Sequence, residues 1–241
     1  MGDDWSVESL RFSLFSSEVP KGTDADWTEL TGQEEAETRQ NVPGGKVYVG
    51  EWGLGRLTLG FGPGRVDVVL GNKAATPDHP GLPVFAKWLV ALEEFQELTS
   101  RFLGNFSRPV TRIAFGAVLL QHAASEAEVN ALLQTYIKAV KINERYEDVL
   151  YRVNSPVVSI VDGGKINRIT NFASLKIQTG AFKLGSVEPP IILGDEAFAA
   201  RLELDHSTSA QRASPFDSNL VVPIWNELIG LARENAEIGE M

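Results

Sequence analysis

At 241 residues, with 43% hydrophobic and 22% charged side chains, the chain can fill one large domain or two closely joined halves and is not a disordered composition. It contains no cysteine, which excludes disulfides, thiolate nucleophiles and cysteine-based zinc sites. A net charge of −10 argues against tight non-specific DNA or RNA binding, and no run approaches the roughly 18 apolar residues of a membrane span.

The chain starts MGDDWSVESL, without the basic start and apolar core of a secretory signal. The pattern M-G-x-x-x-S fits a myristoylation site loosely, but two aspartates directly after Gly2 make a poor membrane neighbour, and no lipid anchor is expected. Residues 6–15 read as a first strand, with Val7, Leu10 and Leu14 among its apolar positions. Residues 16–46 form a long acidic connection. Within it, DADWTELTG allows one short helical turn capped by Asp24 and stopped by Gly32, and no core contribution is expected from this stretch.

Residues 54–71, LGRLTLGFGPGRVDVVLG, hold five glycines and look most like a cofactor signature. A phosphate loop needs a helix starting directly after its glycines, because the helix N-terminus is the anion site. Here a β-branched run follows, and neither GxGxxG nor GxxxxGK[ST] is present. The segment therefore reads as a hairpin: Leu57 and Leu59 alternate going in, GPG turns, and Val66, Val68 and Leu70 alternate on the return. Val47 and Val49 begin the strand before it.

The spacing of Phe85, Trp88, Leu89, Leu92, Phe95 and Phe102 predicts a helix over 83–104, with Glu93 and Glu97 on its solvated side. Residues 110–120 are apolar on both faces from Ile113 onward and predict a central strand covered on each side. Ser125 and Glu128 form a capping box for a helix that ends near Lys141. Three strands follow, around 149–153, around VVSIV, and in KINRIT continuing through SLKIQT after an Asp-Gly-Gly turn. VEPPIILGDE reads as a loop because of Pro189 and Pro190, and residues 198–205 as another strand. A final amphipathic helix runs from Leu220 or Val221 to Glu237, with Pro223 in its first turn. This order predicts an α+β fold, a mainly antiparallel sheet covered by amphipathic helices. It divides into two β-then-α halves, 1–105 and 106–241, or forms one integrated domain.

The phrases GRLTLGFGPGRVDVVL, RIAFGAVLLQ, YRVNSPVVS, KINRITNF and ARLELDHST, followed by the C-terminal helix, resemble a sporadically distributed family of bacterial proteins of similar length with no assigned activity. The resemblance implies a bacterial, cytosolic setting. It carries over no catalytic residue, and a role beside a mobile-element or defence partner follows from association alone.

Candidate chemistry is sparse. Asp205, His206 and Ser207 stand side by side, but neighbours on a strand point to opposite faces and cannot meet while the strand continues. The other histidines, His79 and His122, have no metal-ligand spacing, so no metal site is assigned. Asn154, Asn167 and Arg168 lie between apolar strand residues. Either they form a polar patch that recognises a ligand or peptide backbone, or Asn154 prepares the Pro156 turn while Arg168 projects into solvent. Trp88 and Trp225 belong to the core, and Trp27 and Trp52 are candidate surface anchors. Residues 138–183 carry eight basic and four acidic side chains, residues 186–241 three and ten. The basic stretch is either a solvated face or a contact for an acidic partner or nucleic acid.

The pattern as a whole predicts a non-catalytic binding protein with a protein partner and no cofactor. Its candidate binding residues are Asn154, Asn167, Arg168, Asp205 and His206. Two alternatives remain: a small-ligand receptor with a cavity between sheet and C-terminal helix, and an enzyme using Asp205 and His206 or Asn167 and Arg168.

Overall fold

The computed structural model describes residues 4–18, 21–73, 81–182, 191–212 and 214–239. Side chains are described throughout these ranges except at 179–182 and 191–195. Gly2, His79, Pro189 and Pro190 lie outside the described residues.

The chain runs β1 (Ser6–Ser16), α1 (Asp24–Thr31), β2 (Thr38–Val42), β3 (Gly45–Trp52), β4 (Gly55–Gly62), β5 (Arg65–Gly71), β6 (Ala86–Lys87) and α2 (Trp88–Asn105). It continues with β7 (Val110–Ala123), α3 (Glu126–Tyr136), β8 (Leu150–Asn154), β9 (Val157–Val158), β10 (Lys165–Phe182), β11 (Ile191–Thr208) and α4 (Ser218–Ile238). The fold is α+β. One sheet takes the order β2-β3-β4-β5-β1-β7-β11-β10-β8, with β6 beside β1 and β9 beside β10. Its pairs are antiparallel. β1 and β7 pair along nearly their whole lengths, so the sheet runs unbroken across the boundary between residues 105 and 106.

Alternation decides which side chains go inward. Leu10, Phe12 and Leu14 of β1 stand opposite Leu70, Val68 and Val66 on one side and Ala117, Phe115 and Ile113 on the other, all buried. One registered row crosses seven strands: Tyr48, Leu59, Val68, Phe12, Phe115, His206, Arg168. Trp225 of α4 sits on its middle, with ring centroids 4.6 Å from Phe12, 5.7 Å from Phe115 and 6.5 Å from Phe95 of α2. The N-terminus is tied to the far end of α4, where the Trp5 indole N–H donates to the Ala236 carbonyl at 3.1 Å. Trp5 also meets Tyr136 of α3, which stacks on Phe172.

The hairpin at 55–71 forms as its glycines imply, with Gly64 at φ 66° in the turn and β5 continuing as a strand. Several expectations need correction. The acidic connection does reach the core: Trp27 and Leu30, three apart on α1, are 1% and 0% exposed. Trp27 is therefore no surface anchor. It lies over Gly50, where a Cβ would come within 2.8 Å of its ring, so the glycine makes the space. The α1 cap is Thr23 rather than Asp24, and β2 follows where only a connection was expected.

α2 begins at Trp88, five residues late. The open backbone groups of β1's first residues capture the chain beforehand, as Phe85 N–H donates to the Val7 carbonyl and β6 pairs with Ser6 and Val7. α3 ends at Tyr136 instead of near Lys141, since burying Ile137 requires extended backbone there. Gln134 then clamps the departing chain, donating to the Ile137 carbonyl and accepting from Ile142 N–H, both at 2.7 Å. Residues 191–196, expected as loop, belong to β11. Pro223 is the sixth residue of α4, beyond its first turn, and removes one N–H from the helix ladder. No described helix is long and apolar enough to cross a membrane.

The packing on Trp225 predicts that Trp225→Ala costs about 3–5 kcal/mol in urea denaturation and Trp225→Phe clearly less. A loss below about 1 kcal/mol for the alanine variant would show that the row packs without it.

Candidate interaction groove beside the C-terminal helix

The sheet sends the five predicted residues to two faces. Arg168 and His206 are directly opposed on β10 and β11, on the helix-covered side, at 5% and 0% exposure. Arg168 does not project into solvent. Its Nε and Nη2 donate to Oδ1 of Asn235 on α4 at 3.2 and 2.7 Å. Burial lowers the guanidinium's pKa, while the Glu234 carboxylate favours its charged form.

Asn154, Asn167 and Asp205 share the opposite face. Asn154 Oδ1 accepts the Arg168 backbone N–H at 3.1 Å, and its amide reaches Asn167 Oδ1 at 3.4 Å, so this pair joins β8 to β10. Asp205 stands 3.9 Å from Arg11. Since β11 runs on to Thr208, Asp205 and His206 never converge.

That helix-free face is covered by its own long side chains. Arg65 and Arg112 lie over the Phe15 ring, Arg65 pairs with Asp67, and Arg112 donates to Ser207 Oγ at 3.0 Å. Arg201 pairs with Glu203, which also accepts from Asn171. Ala114 and Leu120 on the outer side of β7 are buried beneath this layer. β7 is thus central and covered twice, by helices on one side and by charged side chains on the other.

The basic stretch is likewise dispersed, for Arg168 is buried and Lys176 pairs with Glu196 at 2.8 Å. Among the described residues, no group of three or more His, Asp or Glu side chains could hold a metal ion. A polar hollow of about 280 Å³ beside α1 is lined by Asp24, Arg39 and Lys46 among others, and its Arg39 is held by Asp24 at 2.9 Å and Glu35 at 3.6 Å.

The larger concavity lies between α4 and the turn that follows β9. It measures about 500 Å³. Val157, Val158, Ile160 and Val161 form one wall; Pro223, Gly230 and Leu231 of α4 form the other. Glu227 and Glu234 edge it, and no lysine or arginine is among its described lining residues.

Hydrogen bonds fix the turn. Ser159 Oγ donates to Glu227 Oε2 at 2.6 Å, and the Ile160 N–H donates to Glu227 Oε1 at 2.8 Å. Ser159 Oγ also accepts from Val161 N–H at 3.1 Å, and Gly164 N–H donates to Asp162 Oδ1 at 2.9 Å. Burial alone would raise the Asp162 pKa, but the Gly164 N–H, Ser159 and the Arg212 guanidinium at 2.6 Å hold it below the ordinary carboxylate value. Within this rigid turn, Val158 is 72% and Ile160 91% exposed. Across the gap, a Cβ at Gly230 would meet nothing within 4 Å, so no packing requires a glycine in mid-helix there.

None of the groove residues was among the expected site residues. Val157 to Val161 read as strand, and the exposure of Ile160 depends on the turn closing at Ser159. Gly230 was the available signal, since an isolated glycine inside a helical pattern lowers helix stability unless something uses the space. No protein-family model matches the chain, and no curated protein matches it.

Two expectations follow. His206 is neutral and lacks a hydrogen-bond partner at either ring nitrogen, though the Leu228 backbone lies close enough to favour the charged ring slightly. Burial, helped by the Arg168 charge, pushes its pKa down to about 3 from 6.5. The unfolded chain therefore binds a proton that the folded chain refuses. The stability contribution is complete above pH 6.5 and drains away as pH falls toward 3, at about 1.4 kcal/mol per pH unit. Urea midpoints at pH 7, 6 and 5 should fall more steeply for the native protein than for His206→Leu, and parallel curves would refute the assignment. Glu227→Ala should release the turn and speed exchange of the Ile160 amide by about tenfold or more, the loss of a charge-assisted hydrogen bond. Unchanged protection by hydrogen-exchange NMR would show that the turn holds without Glu227.

Proposed function

We propose that this is a non-catalytic, cytosolic binding protein whose contact with a protein partner is the apolar groove between α4 and the β9 turn. The observation that carries the reading is Ile160, 91% exposed and yet held in place by a turn bonded to Glu227. Scattered surface apolar residues need no explanation, but a rigid apolar wall facing a concavity of about 500 Å³ is the kind of surface that marks an interaction site. The absence of cysteine fits a reducing compartment.

Two features favour this reading over the alternatives. The space between sheet and α4 is occupied by Phe12, Phe115, Trp225 and Leu228, all fully buried, which leaves a small-ligand receptor little interior to use. Asp205 and His206 face opposite sides of the sheet, as do Asn167 and Arg168, which deprives either pair of a common cleft.

Gly230→Leu tests the proposal without damaging the fold. Open space surrounds the site, and leucine is a better helix former, so stability should hold or rise by up to about 1 kcal/mol. The added side chain fills the groove. In pull-downs from a bacterial lysate, the native protein should retain a partner that Gly230→Leu and Ile160→Glu both lose. Retention of the same proteins by all three would refute the groove as the contact.

A further inference from the structure

We infer that the groove's occupant is a cationic amphipathic helix from a different protein, its apolar side against Ile160, Gly230 and Leu231 and its Lys or Arg residues beside Glu227 and Glu234. The inference rests on the groove being the contact surface and adds the chemistry of what it takes.

An extended strand is a poor fit. Joining the sheet beside β9 requires a run of free backbone donors. Ser155 N–H already donates to the Arg168 carbonyl, Ser159 N–H to Gly164, and Ile160 N–H to Glu227, while Pro156 has none to give. The edge is sealed by the bonds that shape the turn. What remains is a side-chain surface, where docking works by inserting apolar anchors. Gly230 allows a close approach to the α4 backbone at the point where a crossing helix would lie.

Charge selects the partner. Glu227 and Glu234 are the ionisable groups among the described residues that line the groove; Arg168, whose charge bears on Glu234, is buried under α4 beside Asn235, and Arg212 behind the turn is held by Asp162. The chain as a whole carries a net charge of −10. A second copy of this chain is disfavoured on the same ground. A two-fold contact through the groove would set the acidic rim against itself. The carboxylate rim equally opposes an anionic membrane surface.

The test uses the full-length protein and two fluorescein-labelled synthetic helices of about three heptads, long enough to hold helical structure on a surface. One has a leucine face with lysines elsewhere; the other replaces every lysine with glutamate. By fluorescence anisotropy, the lysine peptide should bind about tenfold more tightly or better, the yield of two partly exposed ion pairs. Added salt should weaken this binding, Gly230→Leu should abolish it, and Glu234→Lys should narrow the preference. Equal binding of both peptides, lost in Gly230→Leu, overturns the charge selection and leaves the groove standing. Lysine-peptide binding that ignores Gly230→Leu places the contact elsewhere and overturns both. Failure of both peptides to bind overturns the helix inference, and the groove is then judged by the pull-down. Sedimentation showing a dimer that Gly230→Leu dissolves makes a second copy the occupant and overturns the inference too.

Discussion

The structure depends on one constraint: a pleated sheet with helices on a single face can send only every second side chain beneath them. Because the period is two, a slip of one residue in any strand would exchange its whole core set for its solvent set. The row from Tyr48 through Phe12 and Phe115 to Arg168 shows the constraint holding across seven strands. It also explains why a polar pair enters the core at all. His206 and Arg168 occupy positions that the register assigns to the covered face, and the fold accommodates them instead of shifting. Asn235 meets the guanidinium, while His206 stays neutral. Keeping a charge there is tolerable only with such a partner.

The same register fixes α4. Ile224, Trp225, Leu228, Ile229 and Ala232 form its buried stripe, set by the sheet beneath. A helix turns about 100° per residue, so choosing that stripe leaves no freedom in where Glu227, Gly230, Leu231 and Glu234 point. They face sideways, toward the β9 turn. The groove is thus a by-product of core packing in its position, but not in its composition. A larger residue at 230 would fit without strain and would favour the helix.

Much of the architecture was legible because it is written in local periodicity. The 55–71 hairpin, the central strand β7 and the stripes of α2 and α4 carry their own patterns of two or 3.6 residues. What escaped was set by distant partners. Trp27 and Leu30 look like isolated apolar residues in an acidic linker until Gly50 is placed under the tryptophan. β6 exists only because β1 has unpaired backbone at its start. Arg168 looked solvent-bound because an arginine on a strand usually is, and its burial depends on Asn235, 67 positions away. The site was less legible than the fold. Of the five polar candidates, Arg168 and His206 are buried under the helices and Asn154, Asn167 and Asp205 lie on the other face, whereas the groove is built from valines, an isoleucine and a glycine that look structural in sequence.

That inversion bears on how the groove would work in the role proposed for it. An apolar side chain exposed at the tip of a loose loop would collapse onto its neighbours, and any partner would have to reorder it. Ile160 cannot collapse, because Glu227 holds both the Ser159 hydroxyl and the Ile160 N–H, and Gly163 (φ 71°) completes the turn. The entropy of ordering that wall is spent in folding, before any partner arrives. Glu227 belongs to α4, so the two walls are joined by a carboxylate that is at once their spacer and part of the acidic edge. A substitution that removes its charge therefore changes the groove's shape as well as its field, whereas Gly230 changes shape alone and Glu234 leaves the turn's hydrogen bonds intact. The three positions separate geometry from electrostatics at one surface.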